Sequence, residues 1–368
     1  VTITMPRRAE PELASLVDHV MFTSSTTGKP KGVLHTADTL AALNITFAER
    51  FDLNAQTPIF MPSPLGHSIG TIHGARLALH CGAPLVIQSR WDVSQALDLV
   101  AQHGCYFTAA ATPFLKDLVD ASARASSVKL ESMRWFLCGG AQVPPTLMDR
   151  AETEFPNTRV TVLWGMTEGG LTTSVADSPR DKMLSTAGIA LPGLELRIIS
   201  PSGEDVELGG EGELSMRGPG VFTGYCGQDD LYQSTLTPDG YFCTGDLARI
   251  DGGGYVAITG RLKDIIIRGG VNISPVPIEN ALAAHADIQA VAVVGYPDER
   301  LGERICAVVV LSPGAQLNEA DVQAFAQSSG LPKSYWPEVV RFMPDFPRTP
   351  AGKIRKNLVR DEITRNYC

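Results

Sequence analysis

Apolar residues recur along the first half of the chain in short runs separated by stretches with helical spacing. Runs at 19–23, 84–88, 106–110, 134–138 and 159–163 read as strands. Between them, Ala37–Arg50 behind Thr36, Val93–His103 behind Asp92, and 144–154 with proline near its start read as helices. This alternation predicts an α/β layer with a largely parallel sheet over 1–184. From 185 to 262, Gly and Pro punctuate β-like runs at 194–199, 212–217, 241–244, 248–251 and 255–259, which predicts a small antiparallel, barrel-like subdomain. After it come a helix at 277–285, strands at 289–295 and 304–311, and a helix at 318–328, so 263–368 reads as a separate α+β domain.

Composition narrows the class. The chain has 368 residues, 44% hydrophobic and 19% charged, which suits a globular protein of two or three domains. A formal charge of -9 argues against non-specific nucleic-acid binding, which needs a basic surface to displace phosphate counterions, but it does not exclude a nucleotide. Seven cysteines are scattered at 81, 105, 138, 226, 243, 306 and 368 with no CxxC pair. An odd, dispersed set indicates neither a disulfide framework nor a zinc site, and points to reduced thiols in the cytoplasm. No apolar run approaches the ~18–20 residues of a membrane span. The chain begins with Val and shows no signal peptide, which reads as a piece cut from a longer protein.

Four strings carry candidate chemistry. The first is Thr23-Ser24-Ser25-Thr26-Thr27-Gly28-Lys29-Pro30-Lys31-Gly32, behind an apolar strand. Small residues admit backbone N–H groups to phosphate, hydroxyls add donors and lysines neutralise charge. The spacing is not that of a Walker A loop, and alone the string reads as a plain loop. The second is Leu163-Trp164-Gly165-Met166-Thr167-Glu168, whose carboxylate at a strand end is placed to hold Mg²⁺ and whose ring could stack on a purine. In isolation Trp164 is core packing and Glu168 a solvated acid.

The third pairs Thr244-Gly245-Asp246 with Gly260-Arg261-Leu262-Lys263-Asp264. A carboxylate can accept hydrogen bonds from both ribose hydroxyls, although a lone Asp after Gly is a turn residue. The fourth is Pro347-Arg348-Thr349-Pro350-Ala351-Gly352-Lys353. A cation there offsets the repulsion between a carboxylate and a phosphate; alone, Lys353 is one exposed base among several.

In this order the strings resemble the adenylate-forming superfamily of acyl-CoA synthetases, luciferases and peptide-synthetase adenylation domains, most closely the acyl-CoA synthetases. The resemblance implies that 23–32, including Lys29 and Lys31, binds the ATP phosphates, with Ser25 standing where the family has Gly. It implies that Gly139-Gly140-Ala141 lines the adenine and acyl pockets, that Trp164 and Gly165 flank the adenine, and that Thr167 contacts the α-phosphate. Glu168 would bind Mg²⁺, Asp246 and Arg261 the ribose, and Lys353 would bridge carboxylate and α-phosphate. Lys263 would be the hinge of a mobile C-terminal domain. In Pro64-Leu65-Gly66-His67-Ser68-Ile69-Gly70, His67 would line the acyl pocket. Its neighbours fit neither the amino-acid-activating nor the hydroxybenzoate-activating variant. Gly269 and Gly270 would let the pantetheine arm of coenzyme A pass, or serve only as a turn.

The resemblance thus implies ATP, Mg²⁺ and coenzyme A, and activation of a fatty or other carboxylic acid to acyl-AMP and then to a thioester. The family carries a longer segment before the phosphate loop than the 22 residues here, so the large domain is expected to be incomplete. Other readings are an aryl-acid ligase that loads a carrier protein, a catalytically impaired nucleotide-binding fragment, and association into a homo-oligomer.

Overall fold

The computed structural model describes residues 17–23, 30–124, 130–139, 143–349 and 353–367. The candidate site residues Ser24, Ser25, Thr26, Thr27, Gly28, Lys29, Gly140 and Ala141 lie outside them. By internal contacts the chain divides into two compact units. One comprises Val1–Gly210, Leu214–Thr244 and Ile250–Ala257; the other comprises Glu211–Glu213, Gly245–Arg249 and Ile258–Cys368.

In the first unit, β1 (Val17–Thr23) and β2 (Lys31–Thr36) pair antiparallel, and α1 (Ala37–Arg50) follows directly. Thr36 starts that helix: its hydroxyl accepts from the Thr39 amide, and Thr39 Oγ1 accepts from the Thr36 amide. Then come β3 (Ile59–Met61), helical turns over 68–81 that include a π-helical Thr71–Arg76, and β4 (Leu85–Ile87). The alternation continues through α2 (Val93–His103), β5 (Phe107–Ala111), α3 (Thr112–Arg124), β6 (Trp135–Gly139), α4 (Pro145–Glu154), β7 (Arg159–Met166), β8 (Gly169–Thr173) and β9 (Ile189–Ala190). Strands β3 to β9 form a seven-stranded sheet of order β4-β3-β5-β6-β7-β8-β9. It is parallel from β4 to β7 and antiparallel from β7 to β9.

Alternate side chains of each strand serve opposite faces. Phe60, Ala110, Phe136 and Cys138 pack with Leu97 and Val100 of α2, Leu115 and Val119 of α3, and Met148 of α4. Ile59, Met61, Phe107, Trp135 and Leu137 pack on the other face with Leu40, Leu43 and Phe47 of α1. Helices therefore cover both faces, as a parallel sheet requires.

Further along, β10 (Glu195–Ile199), β11 (Gly212–Arg217), β13 (Phe242–Ile250) and β14 (Val256–Arg261) form a four-stranded sheet in that order. The two-residue β12 (Gly224–Tyr225) leaves it and joins β2. The separate runs expected at 241–244 and 248–251 are one strand. Gly245 adopts φ +73 inside it, so the apparent break is absorbed by a residue without a side chain.

In the second unit, β15 (Ile266–Arg268) and β16 (Val271–Ile273) form a hairpin, followed by α5 (Pro275–Ala283), β17 (Ile288–Asp298), β18 (Gly302–Leu311), α6 (Glu319–Ser328), β19 (Val339–Phe342) and α7 (Lys356–Tyr367). Ile305, Ala307 and Val309 of β18 face Ile278, Leu282 and Val322 of α5 and α6. Cys306 and Val308 face Val359 and Ile363 of α7. The sequence did not announce α7, because its buried anchors are that one pair of residues a turn apart. No described helix is long and apolar enough to cross a membrane.

Candidate active site

The candidate phosphate loop connects the two strands of a hairpin whose last pair is Thr23 opposite Lys31. At Lys31 the chain enters a strand rather than a helix, so no helix N-terminus opens at that end of the string. Among the described residues the buried Thr23 hydroxyl has no partner.

Thr167 and Glu168 form the turn between β7 and β8, opened by Met166 opposite Gly169. Both turn carbonyls are held. His35 Nε2 lies 2.7 Å from the Thr167 carbonyl, and the Phe222 amide donates to the Glu168 carbonyl at 2.8 Å. A carbonyl only accepts, so His35 carries its proton on Nε2, and Nδ1 faces Thr39 Oγ1 at 3.0 Å. Burial pushes the His35 pKa below its ordinary value, which keeps the ring neutral.

The Glu168 side chain is buried at 5% exposure. Tyr225 donates its hydroxyl to Glu168 Oε1 at 2.9 Å, and Lys31 Nζ sits 4.6 Å from the centre of the Tyr225 ring. Glu168 Oε2 has no hydrogen-bond partner among the described residues. A hard carboxylate oxygen left open near the Lys31 amine fits Mg²⁺, which is held by one or two carboxylates plus substrate phosphates.

Trp164 is 8% exposed and lies within β7 opposite Thr172, so most of its ring is committed to packing. Gly139 ends β6; a Cβ there would stand 3.1 Å from Ile69 Cδ1. At Gly165 a Cβ would stand 2.5 Å from Leu171 Cδ2 and 2.8 Å from the Gly170 carbonyl oxygen, so close packing against backbone demands glycine there. His67 caps the helical turns over 68–81, its Nδ1 accepting from the Ile69 amide at 3.3 Å.

The second unit gathers another set. Asp246 Oδ1 and Arg261 Nε form an ion pair at 2.7 Å. Glu213 Oε1 accepts from the Gly245 amide at 2.9 Å, which holds the backbone beside Asp246. Desolvation, with the Asp246 charge behind it, raises the Glu213 pKa. Lys353 closes a turn in which the Thr349 amide donates to the Lys353 carbonyl at 2.8 Å and the Lys353 amide to Thr349 Oγ1 at 3.2 Å. Lys353 stays solvent-accessible, yet the surrounding protein desolvates its amine. That desolvation, followed by the charges of Arg261 and Lys263, lowers its pKa to about 8 against the opposing pull of Asp246 and Asp264.

Lys263 is exposed in the three-residue 3-10 turn Leu262–Asp264 that follows β14. Gly269 and Gly270 are the two-residue turn of the β15–β16 hairpin, with φ +58 and +82. Left-handed backbone at both positions calls for glycine irrespective of any ligand.

The structure thus joins Lys31 to Glu168 through Tyr225 and pairs Asp246 with Arg261, whose charges both act on the Lys353 amine. Sequence reasoning missed Tyr225, His35 and Glu213. Each is a common residue with no spacing signal, and only strand pairing reveals its partner.

A family model described as AMP-binding enzyme matches residues 8–226, and one described as AMP-binding enzyme C-terminal domain matches residues 277–353. The chain belongs to the AMP-binding enzyme family. It is 37% identical over 348 residues to a medium-chain fatty-acid–CoA ligase of Escherichia coli, covering 94% of this chain and 61% of that protein. It is 34% identical to a 3-[(3aS,4S,7aS)-7a-methyl-1,5-dioxo-octahydro-1H-inden-4-yl]propanoyl:CoA ligase of Rhodococcus jostii, covering 94% and 65%. The chain therefore spans less than two thirds of the length of either relative. Among solved structures, ATP-bound MatB from Rhodopseudomonas palustris superposes with a TM-score of 0.87 at 29% identity, covering 96% of this chain and 69% of that one. In this AMP-binding enzyme the first match takes in Lys31, Glu168 and Tyr225, and the second ends on Lys353.

Proposed function

We propose that this AMP-binding enzyme uses ATP to activate a carboxylic acid as its acyl-adenylate and then passes the acyl group to coenzyme A. The observation that carries the reading is the Asp246–Arg261 ion pair, whose charges act on the amine of Lys353, far later in the chain. In this reading a substrate carboxylate oxygen attacks the α-phosphorus, and the bond to the bridging oxygen breaks, releasing pyrophosphate. The thiol sulfur of coenzyme A then attacks the acyl carbon and AMP leaves.

Lys353 offsets the repulsion between the two anions that meet at the α-phosphorus. Asp246 accepts from the ribose hydroxyls, with Arg261 fixing its orientation. Lys31 and the residues 23–29 take the triphosphate, and Thr167 the α-phosphate. Bound at Glu168, Mg²⁺ would neutralise phosphate charge and favour departure of pyrophosphate. His67 borders the acyl group, Gly269 and Gly270 the pantetheine arm, and Lys263 serves as the hinge between half-reactions. The two relatives are named for a medium-chain fatty acid and for a bicyclic propanoic acid that carries two ring ketones. That supports a medium-sized, largely apolar acid as substrate.

The test is acid-dependent ATP–pyrophosphate exchange over medium-chain, bicyclic and aryl acids. Exchange is expected with at least one of them and falls roughly 10²–10³-fold in Lys353→Ala. Folded protein that exchanges with none overturns the proposal.

A further inference from the structure

Tyr225 lies far from every string that carries the chemistry, yet it is 1% exposed and touches both Lys31 and Glu168. Its position follows from strand pairing. β12 pairs with β2 through Gly224 opposite Leu34 and Tyr225 opposite Val33, so the phenol enters beside Lys31. The same segment reaches the Thr167–Glu168 turn at the main chain, through the Phe222 amide on the Glu168 carbonyl. Around the phenol, Phe222 at 4.9 Å and Tyr232 at 6.4 Å between ring centres fix its orientation.

We infer that Tyr225 is a positioning residue for the metal–triphosphate site: it holds Glu168 by one oxygen and keeps Lys31 from neutralising the other. This inference rests on the nucleotide reading of 23–32 and Glu168, and it does not need the identity of the acid. Three features argue for it.

First, the hydroxyl holds Oε1 at 2.9 Å, and no hydrogen bond to Oε2 is made among the described residues, so one carboxylate oxygen is held and the other is available. Second, no ion pair within 4.0 Å joins Lys31 and Glu168 among the described residues; the Tyr225 hydroxyl stands between them, 3.5 Å from Nζ and 2.9 Å from Oε1, with Nζ also 4.6 Å from the ring centre. A direct pair would cancel the negative charge that a cation needs and the positive charge that a phosphate needs. Third, a cation over the ring draws electron density from it, which makes the phenol a stronger donor to Glu168. Lys31, Tyr225 and Glu168 therefore respond as a unit when phosphate arrives at one end and metal at the other.

The experiment measures nucleotide binding by calorimetry on the full chain, with ATP and Mg²⁺ and separately with AMP in the absence of Mg²⁺. Tyr225→Phe keeps the ring and its packing and removes the hydroxyl. It is expected to weaken Mg²⁺-dependent ATP binding about tenfold, in line with the loss of a partner behind a metal ligand, and to leave AMP binding unchanged. The tenfold loss is expected to vanish when Tyr225→Phe is made on a Glu168→Gln background. Equal losses for ATP and AMP, or less than a twofold change for ATP, would overturn the inference by showing that the phenol only packs. If the unsubstituted chain bound AMP but gained nothing from Mg²⁺ with ATP, the inference would fall while the adenylation reading stood. If it bound neither nucleotide, both would fall.

Discussion

The His35 ring hydrogen bonds to the Thr167 carbonyl at 2.7 Å, tying the strand that leaves the candidate phosphate loop to the turn that carries Glu168. Replacing His35 by Phe keeps a buried ring but removes its contacts to Thr167 and Thr39. The Thr167 carbonyl then loses its partner, and the variant should lose about 1–3 kcal/mol in urea denaturation at neutral pH. An unchanged midpoint would mean that the turn is held without the imidazole.

His73 is the second buried imidazole, stacked on Phe47 at 4.6 Å between ring centres, and its Nδ1 has no partner among the described residues. Burial, with His67 adding, lowers its pKa to about 3. The unfolded chain titrates near the ordinary 6.5 and so binds more protons between these values. The stability that comes from keeping this ring neutral is complete above pH 6.5 and is lost as pH falls toward 3. His73→Phe should therefore gain stability relative to the unsubstituted protein as pH is lowered through that window. Parallel stability–pH curves for the two proteins would refute the assignment.

Lys353 predicts a pH profile of the opposite kind. With a pKa of about 8 its amine is cationic below that pH, so pyrophosphate exchange should decline as pH rises through 8. In Lys353→Arg any remaining exchange should lose this alkaline limb, because a guanidinium stays charged. A limb that persists in the arginine variant belongs to another group.

A substitution at Gly270 tells the two proposed half-reactions apart. A Cβ added there meets nothing within 4 Å, but φ +82 strains any L side chain, so Gly270→Ala should cost about 1 kcal/mol of stability. If the glycine passes the pantetheine arm, exchange should continue while transfer to coenzyme A slows. Unchanged transfer would leave Gly270 as a turn residue only.

How much was legible depended on the range over which each feature is decided. Helices Ala37–Arg50 and Val93–His103 were readable to the residue. Their starts rest on the Thr36 and Asp92 side chains bonding amides three residues on. Strand β13 was read as two because Gly245-Asp246 looks like a break, while φ +73 at Gly245 lets the strand continue. Helix α7 was invisible because Val359 and Ile363 are apolar anchors only once β17 and β18 supply the surface they cover.

The sequence by itself determined the succession of elements, the candidate phosphate loop, and the charged residues Glu168, Asp246, Arg261 and Lys353 in family order. Those depend on neighbours within a turn or on the type of residue in a string. Only the tertiary structure decided that Tyr225 stands between Lys31 and Glu168, that His35 holds the Thr167 turn, and that Lys353 shares the electrostatic neighbourhood of Asp246 and Arg261. The physical reason is strand register. Pairing β12 with β2 sets which side chains meet across nearly two hundred residues, and no local pattern along the chain encodes that pairing.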